Sequence, residues 1–532
     1  MKNVIVKNGD KRLNSAEYAV ANTPRGSFLG RVDSYGVASY IGIRFGEAGR
    51  WEAGTIPEKF DGVMEALHYG DAPWQNPSDF APCLLDQGMS EDCLNLNVFT
   101  NSRISSGKPV MVWFYGGAQI TGCNRGCIGF DYDGTNMVRE NPDIVLVVPN
   151  YRVGFFGTAN LSVLDGYSEK YKYSNNLTRL DVLLCLKWVK ENISAFGGDP
   201  ENVTVFGQSA GSNNITALML MGYAEGYFKK AILQESFAAN NSLTTLDDSK
   251  TISRELFRKL GASTVEEALG IPAERVLKAQ AEILMGLRTG APEFRFIKSL
   301  AMSPVIDNVL LFDDYWENLL SGKNCSGIDV ILGSNEGSFD QQFADFSSPD
   351  KWGACWNRVV SMVRKWIPEE TAERFRNDYP ERDLFTAAKD LRNDADMRVG
   401  AYEYANALSK NVNTYFYHIT YNDRPETSCR ARHGVEIPVI FDNGCTANPD
   451  FKRAVQQAWL NFARTGCPDN EYLPVKWEKY SPKTNRTLVI DYDFRLVDGI
   501  RQKNIDELIC YTKEYRIPEF ADICGQNRRQ EG

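Results

Sequence analysis

The chain has 532 residues, a formal net charge of −10, and 43% hydrophobic and 12% aromatic residues. This composition supplies a packed globular core and excludes a disordered chain, and its acidic balance argues against nucleic acid or an anionic membrane surface as partner. Twelve cysteines without a C-x-x-C, and three histidines, are too few for a disulfide scaffold or a zinc site, so neither a metal nor another cofactor is expected.

The start, "MKNVIVKNGDKRLNS", reaches Asn and Gly before a hydrophobic segment forms. The expectation is therefore a cytoplasmic chain, with a secreted chain whose leader was removed as the alternative. No run approaches the roughly 18 apolar residues of a membrane span. Between residues 109 and 235 apolar strands alternate with glycine turns and helical stretches. "PVMVWFYGGA" and "DIVLVVPNYRVGFFG" read as strands entering turns, and "RLDVLLCLKWVKENISAF" as a helix with one apolar side. "NVTVFG", a helix over about 210–221 and the strand "KKAILQ" follow. The near-continuous apolar strands predict an α/β fold with a large, mostly parallel central sheet covered by helices. From about 240 to 300 the chain turns polar and helical, which predicts a helical cap insertion over the sheet's carboxyl edge. A second insertion is expected around 340–410. Strands at 329–334 and 414–421 resume the sheet, and "FKRAVQQAWLNFARTG" is an amphipathic helix stopped by Gly466. One domain over 1–532 fits this order better than several.

The stretch "VTVFGQSAGSNNI" carries the candidate chemistry. Gly-x-Ser-x-Gly between a strand and a helix is the pattern of a strained turn that exposes a nucleophilic serine, here Ser209. A serine hydroxyl needs a base, and in folds built on such a turn the triad runs Ser, acid, His along the chain. That order excludes His68. His418 sits inside the alternating strand "YFYHITY" and reads as a packed residue, whereas His433 lies in the loop "CRARHGVEIP" and is the expected base. For the acid, Glu336 follows a strand in "DVILGSNEGSFD", with Asp307 and Asp340 as competitors. Asp307, inside an apolar run, suits a turn cap better. The glycine-rich turn in "WFYGGAQITG" points to Gly117 and Ala118, together with Ala210, as backbone N–H donors to an oxyanion.

These segments resemble the type-B carboxylesterases. "SEDCLNLNVF" is similar to the family's E-D-C-L signature, "PVMVWFYGGAQITG" to its oxyanion strand, "NYRVGFFG" to the next strand, and "AFGGDPENVTVFGQSAG" to its nucleophile turn. "NEGS" and "HGVEIPVIF" are similar to the segments carrying acid and base. The resemblance implies an α/β-hydrolase fold and a serine hydrolase that cleaves small carboxylic esters through an acyl-enzyme, using Ser209, Glu336 and His433. A non-catalytic interaction protein of the same fold, or an amidase or lactonase with the same triad, are the alternatives. It also implies a disulfide between Cys83 and Cys93, and Cys185 reads as a free buried thiol. Against the family pattern, Asn95 replaces Tyr or Thr, Ala118 replaces a third glycine, Gln208 replaces Glu, and Glu235 stands where Ser is usual. Glu235 reads first as facing solvent or pairing with a cap Lys or Arg. The competing expectation is electrostatic support of His433 from the neighbouring strand end.

Overall fold

The computed structural model describes residues 4–514 apart from 8, 77–86, 105, 128, 237–242, 295–296, 298–301, 365–366, 379 and 381. A 13-stranded sheet runs through its centre. One flank is built from β1 (Tyr18–Thr23), β2 (Gly26–Val32), β3 (Val37–Arg44), β4 (Val63–Glu65) and β5 (Asn95–Asn101), antiparallel except where β4 lies along β2. The centre holds β6 (Lys108–Phe114), β7 (Val145–Pro149), β8 (Gly198–Gln208), β9 (Lys230–Gln234), β10 (Asp329–Asn335), β11 (Thr414–Ile419) and β12 (Arg486–Ile490). In space these run β7-β6-β8-β9-β10-β11-β12, every neighbour parallel. The last strand, β13 (Arg495–Asp498), pairs antiparallel with β12.

Every residue of β7, β9 and β11 is buried, as a sheet covered on both faces demands. Helices α1 (Leu177–Asn192) and α2 (Ala210–Leu220) pack beside the central strands. The polar stretch after 240 forms α3 (Leu246–Leu260) and α4 (Ala273–Thr289). Their apolar faces close a second core over Trp51, Phe155 and Phe156, beyond the carboxyl end of β7. Further on come α5 (Trp352–Val363), α6 (Leu384–Asn393) and α7 (Val399–Leu408), the last two joined by one π-helical turn, Asp394–Arg398. Helix α8 (Pro449–Thr465) is capped by Asn448, whose side chain accepts the Phe451 N–H, and ends at Gly466 with φ 79°, the left-handed conformation glycine adopts without strain.

The parallel strands β6 to β11 and helices α1, α2 and α8 fall where the sequence predicts them, whereas the parallel strand β12 was not expected. The flank β1–β4 has no counterpart in that reading, because its residues are mixed buried, half-buried and exposed and the period-2 signal is weak there. Register sets what meets at the carboxyl edge. Gly207 lies opposite Phe114, Gln208 opposite Gln234, Gln234 opposite Gly333, and Asn335 opposite Ile419. The residues that follow each strand, from Tyr115 to Glu336, therefore emerge side by side.

Candidate active site

Strand β8 ends at Gln208 and α2 begins at Ala210, so Ser209 alone makes the turn, with φ 55° and ψ −123°. An L residue rarely adopts this conformation, and the surrounding structure must impose it. Two glycines allow it. A Cβ on Gly211 would lie 2.0 Å from the Phe114 carbonyl oxygen, and one on Gly207 would lie 2.8 Å from both that oxygen and the Gly211 carbonyl carbon. The Ser209 N–H extends the sheet by donating to the Gln234 carbonyl at 2.9 Å.

The turn after β6 reaches the same place. A Cβ on Gly116 would sit 3.1 Å from Ser209 Cβ and 2.6 Å from Gln208 Oε1, so the bare backbone abuts the serine. Gly117, Ala118 and Gln119 follow with φ of 106°, 56° and 63°. Three successive left-handed residues are held by Gln119, whose Nε2 donates to the Ala210 carbonyl at 3.0 Å and to Asn214 Oδ1 at 2.8 Å. Ala210 is the first residue of α2, and its N–H has no acceptor within the helix. Gln119 and Asn214 escaped the sequence reading, since a buried amide pair across two elements leaves no local pattern.

His433 stands in the loop after β11 with Nδ1 2.7 Å from Glu235 Oε2, and the Phe339 ring stacks on it at 6.3 Å between centroids. Glu235 is 0% exposed and follows β9 with φ 51°, so the expectation of a solvent-facing or Lys- or Arg-paired residue is corrected. Its Oε2 also accepts the Gly434 N–H at 2.9 Å and Gln208 Nε2 at 3.4 Å. Oε1 accepts the Asn335 N–H at 3.3 Å and the Ser338 hydroxyl. Burial alone would raise the Glu235 carboxyl, but the His433 charge and these donors outweigh it and hold it below the ordinary value. Burial pulls His433 the other way, and the Glu235 charge and hydrogen bond outweigh that and raise it above 6.5.

Glu336, expected to orient His433, is placed elsewhere. Its Oε2 meets His418 Nε2 at 2.5 Å and Arg398 at 2.9 Å, and its Oε1 meets Arg430 at 2.9 Å and Arg501 at 3.3 Å. Despite burial, the charges of Arg501 and Arg398 and the His418 contact hold the Glu336 carboxyl well below its usual range. His418 is 1% exposed, and burial together with Arg398 lowers it to about 4. Of the other candidates, Asp307 accepts the N–H groups of Val309, Leu310 and Leu311 and caps a turn, while Asp340 pairs with Arg430 and Lys389.

A second glutamate backs the site. Glu436 accepts from Gln234 Nε2 and Asn335 Nδ2, both at 2.9 Å, and Gln234 Oε1 accepts from Trp459 Nε1 at 3.1 Å. Burial and the nearby Glu235 charge raise Glu436 to about 7. Of the expected bridge between Cys83 and Cys93, the first cysteine lies outside the described residues and the second is a buried free thiol. Cys185, on α1, is likewise a buried free thiol.

The model of the carboxylesterase family matches residues 17–508. The para-nitrobenzyl esterase of Bacillus subtilis (strain 168) is 30% identical over 498 residues, covering 90% of this chain and 96% of the relative. The phenmedipham hydrolase of Pseudarthrobacter oxydans is 27% identical, over 88% of this chain and 94% of its own. A solved PNB esterase structure superposes with a TM-score of 0.77 at 29% identity, covering 92% of this chain and 99% of the other.

Proposed function

The chain belongs to the carboxylesterase family and is a serine hydrolase of carboxylic esters; we propose that Ser209 is its nucleophile and His433 its general base and acid. With Nδ1 turned to Glu235, Nε2 is the ring nitrogen assigned to the serine. It takes the Ser209 proton as Oγ bonds to the ester carbonyl carbon. The oxygen of the tetrahedral adduct, now anionic, falls to the N–H groups of Gly117, Ala118 and Ala210. When the adduct collapses, the C–O bond to the alcohol breaks and Nε2–H protonates the leaving oxygen. Water then repeats the cycle on the acyl-serine and releases the acid. Its substrates on this reading are small esters. No helix among the described residues is long and apolar enough to cross a membrane.

The observation that carries this reading is the strained backbone of Ser209, locked against the Gly116 turn. A chain that only bound partners would have no use for holding a serine at φ 55°, since such strain persists where a function needs it. The test is Ser209→Ala, His433→Ala and the double variant on an aryl ester. Each single change should lower kcat by roughly 10⁴-fold, with the double no worse, because the two act as a unit. Retention of a tenth of the parent kcat by purified Ser209→Ala overturns the assignment.

A further inference from the structure

We propose that the carboxylate positioning His433 is Glu235, not Glu336, and that the neutral Gln208 beside the nucleophile is the residue this arrangement requires. The proposal rests on the reading of Ser209 and His433 above.

Two Glu–His pairs lie one strand apart at the carboxyl edge, and their surroundings differ. In the pair Glu336–His418, the imidazole is inside a strand. Its Nε2 is shared between Glu336 and Arg398, and its Nδ1 lies 3.2 Å from the Ser334 hydroxyl. Both ring nitrogens are occupied by the protein, so this histidine has no nitrogen to offer a substrate. Its glutamate is neutralised by Arg398, Arg430 and Arg501, themselves tied to Asp390 and Asp394. That is a buried ionic lattice. It holds α6, the π-helical turn and the segment at Arg501 to Glu336 at the end of β10, and none of its described contacts is with His433.

The pair Glu235–His433 has the opposite layout. Glu235 follows the strand adjacent to the nucleophile strand, and the Ser209 N–H bonds to the residue just before it. No Lys or Arg pairs with Glu235 among the described residues, and its contacts there are His433, the Gly434 and Asn335 N–H groups, Ser338 and Gln208. Five donors on a fully buried carboxylate fix the direction of its oxygens, which is what orienting one imidazole tautomer demands.

Gln208 completes the argument. Its Nε2 approaches Glu235 Oε2 at 3.4 Å, so a carboxylate at 208 would put two buried negative charges in contact, a pairing that cannot stay doubly ionised. An amide there instead donates to the glutamate. The two unusual letters, Gln208 and Glu235, thus form one unit across β8 and β9. The charged groups facing His433 are Glu235 from the end of β9, Glu436 following in its own loop, and Arg432 beside it.

The test compares Glu235→Gln, Glu235→Asp, Gln208→Glu and Glu336→Gln by kcat, KM and the acidic limb of kcat/KM. The limb's position does not depend on how much of a variant is folded, which separates positioning from stability. Glu235→Gln should cut kcat about 10²- to 10⁴-fold with KM within about threefold. It should also move the limb to lower pH, because the group that raises His433 is gone. Glu235→Asp should recover part of kcat and return the limb toward the parent position. Gln208→Glu should lower kcat. Glu336→Gln should reduce thermal stability and leave the limb where it is. An unmoved limb with kcat within threefold in Glu235→Gln, or a limb moved by Glu336→Gln instead, overturns the proposal while leaving Ser209 as nucleophile. An active Ser209→Ala would overturn the underlying reading.

Discussion

Replacing Glu436 by Gln should change how stability depends on pH, with a sign the structure dictates. Glu436 is 1% exposed and raised to about 7 by burial and by Glu235, whereas in the unfolded chain it titrates near 4.5. Between these values the folded state binds more protons than the unfolded one, so stability falls as pH rises through the window. The gap corresponds to about 3 kcal/mol over the full window, and about 2 kcal/mol of it is lost between pH ~5.5 and ~8. The amide that replaces the carboxyl does not titrate. Denaturant unfolding of both proteins at those two pH values should therefore show the wild type losing about 2 kcal/mol relative to the variant. The amide still has Gln234 and Asn335 beside it, so a constant offset from altered hydrogen bonds is subtracted by comparing the two pH values. A wild-type-to-variant difference unchanged between them refutes a glutamate kept neutral behind the site.

His418→Gln should give the reverse trend. His418 is lowered to about 4 from 6.5 by burial and Arg398, so on acidification the unfolded chain takes up the proton first and the wild type loses about 3 kcal/mol relative to the variant from pH ~6.5 to ~4; a parallel pH profile for the two proteins would contradict this. The acidic limb of kcat/KM should not move in that variant, and a limb that follows His418 would make it the base. Gly211→Ala should abolish activity or folding, since its Cβ would meet the Phe114 carbonyl at 2.0 Å, backbone against backbone with no side chain to give way. A soluble Gly211→Ala protein with parental kcat would show that the turn is not the tight elbow described.

The elbow was legible because strand, glycines, serine and helix are contiguous, and local sequence determines local backbone. His433, the proposed base, follows from the sequence by elimination: of the other two histidines one precedes the serine and one sits inside a strand, and β11 does bury His418. Which carboxylate meets His433 was not legible from chain order. Glu235 and Glu336 each follow a parallel strand at the same edge, and strands lie about 4.8 Å apart, so spacing admits both. What separates them is aim. Glu235 leaves β9 with φ 51° and its carboxylate meets Gln208 and His433, partners distant in sequence that the letters "LQES" do not announce. Three arginines from 398, 430 and 501 claim Glu336, and no window of sequence brings those positions together. The signal that was present lay in the departures from the family pattern, a missing carboxylate at 208 and an added one at 235.

Those departures also explain why the site tolerates so many acidic residues around one imidazole. Gln208 is neutral, Glu436 is held protonated up to about pH 7, and Glu235 alone is ionised where the proposed mechanism has His433 accept a proton. One negative charge then faces one developing positive charge, which favours the imidazolium without trapping it. When Glu436 ionises, a second negative charge faces His433 and favours its protonated form further, so the two groups titrate together and the apparent values belong to the cluster. Removing Glu436 should consequently move the acidic limb of kcat/KM to lower pH, but by less than removing Glu235, because Glu235 touches the ring and Glu436 acts on it only through space. Equal shifts in the two variants would mean that net charge around the histidine, rather than the 2.7 Å contact, sets its proton affinity.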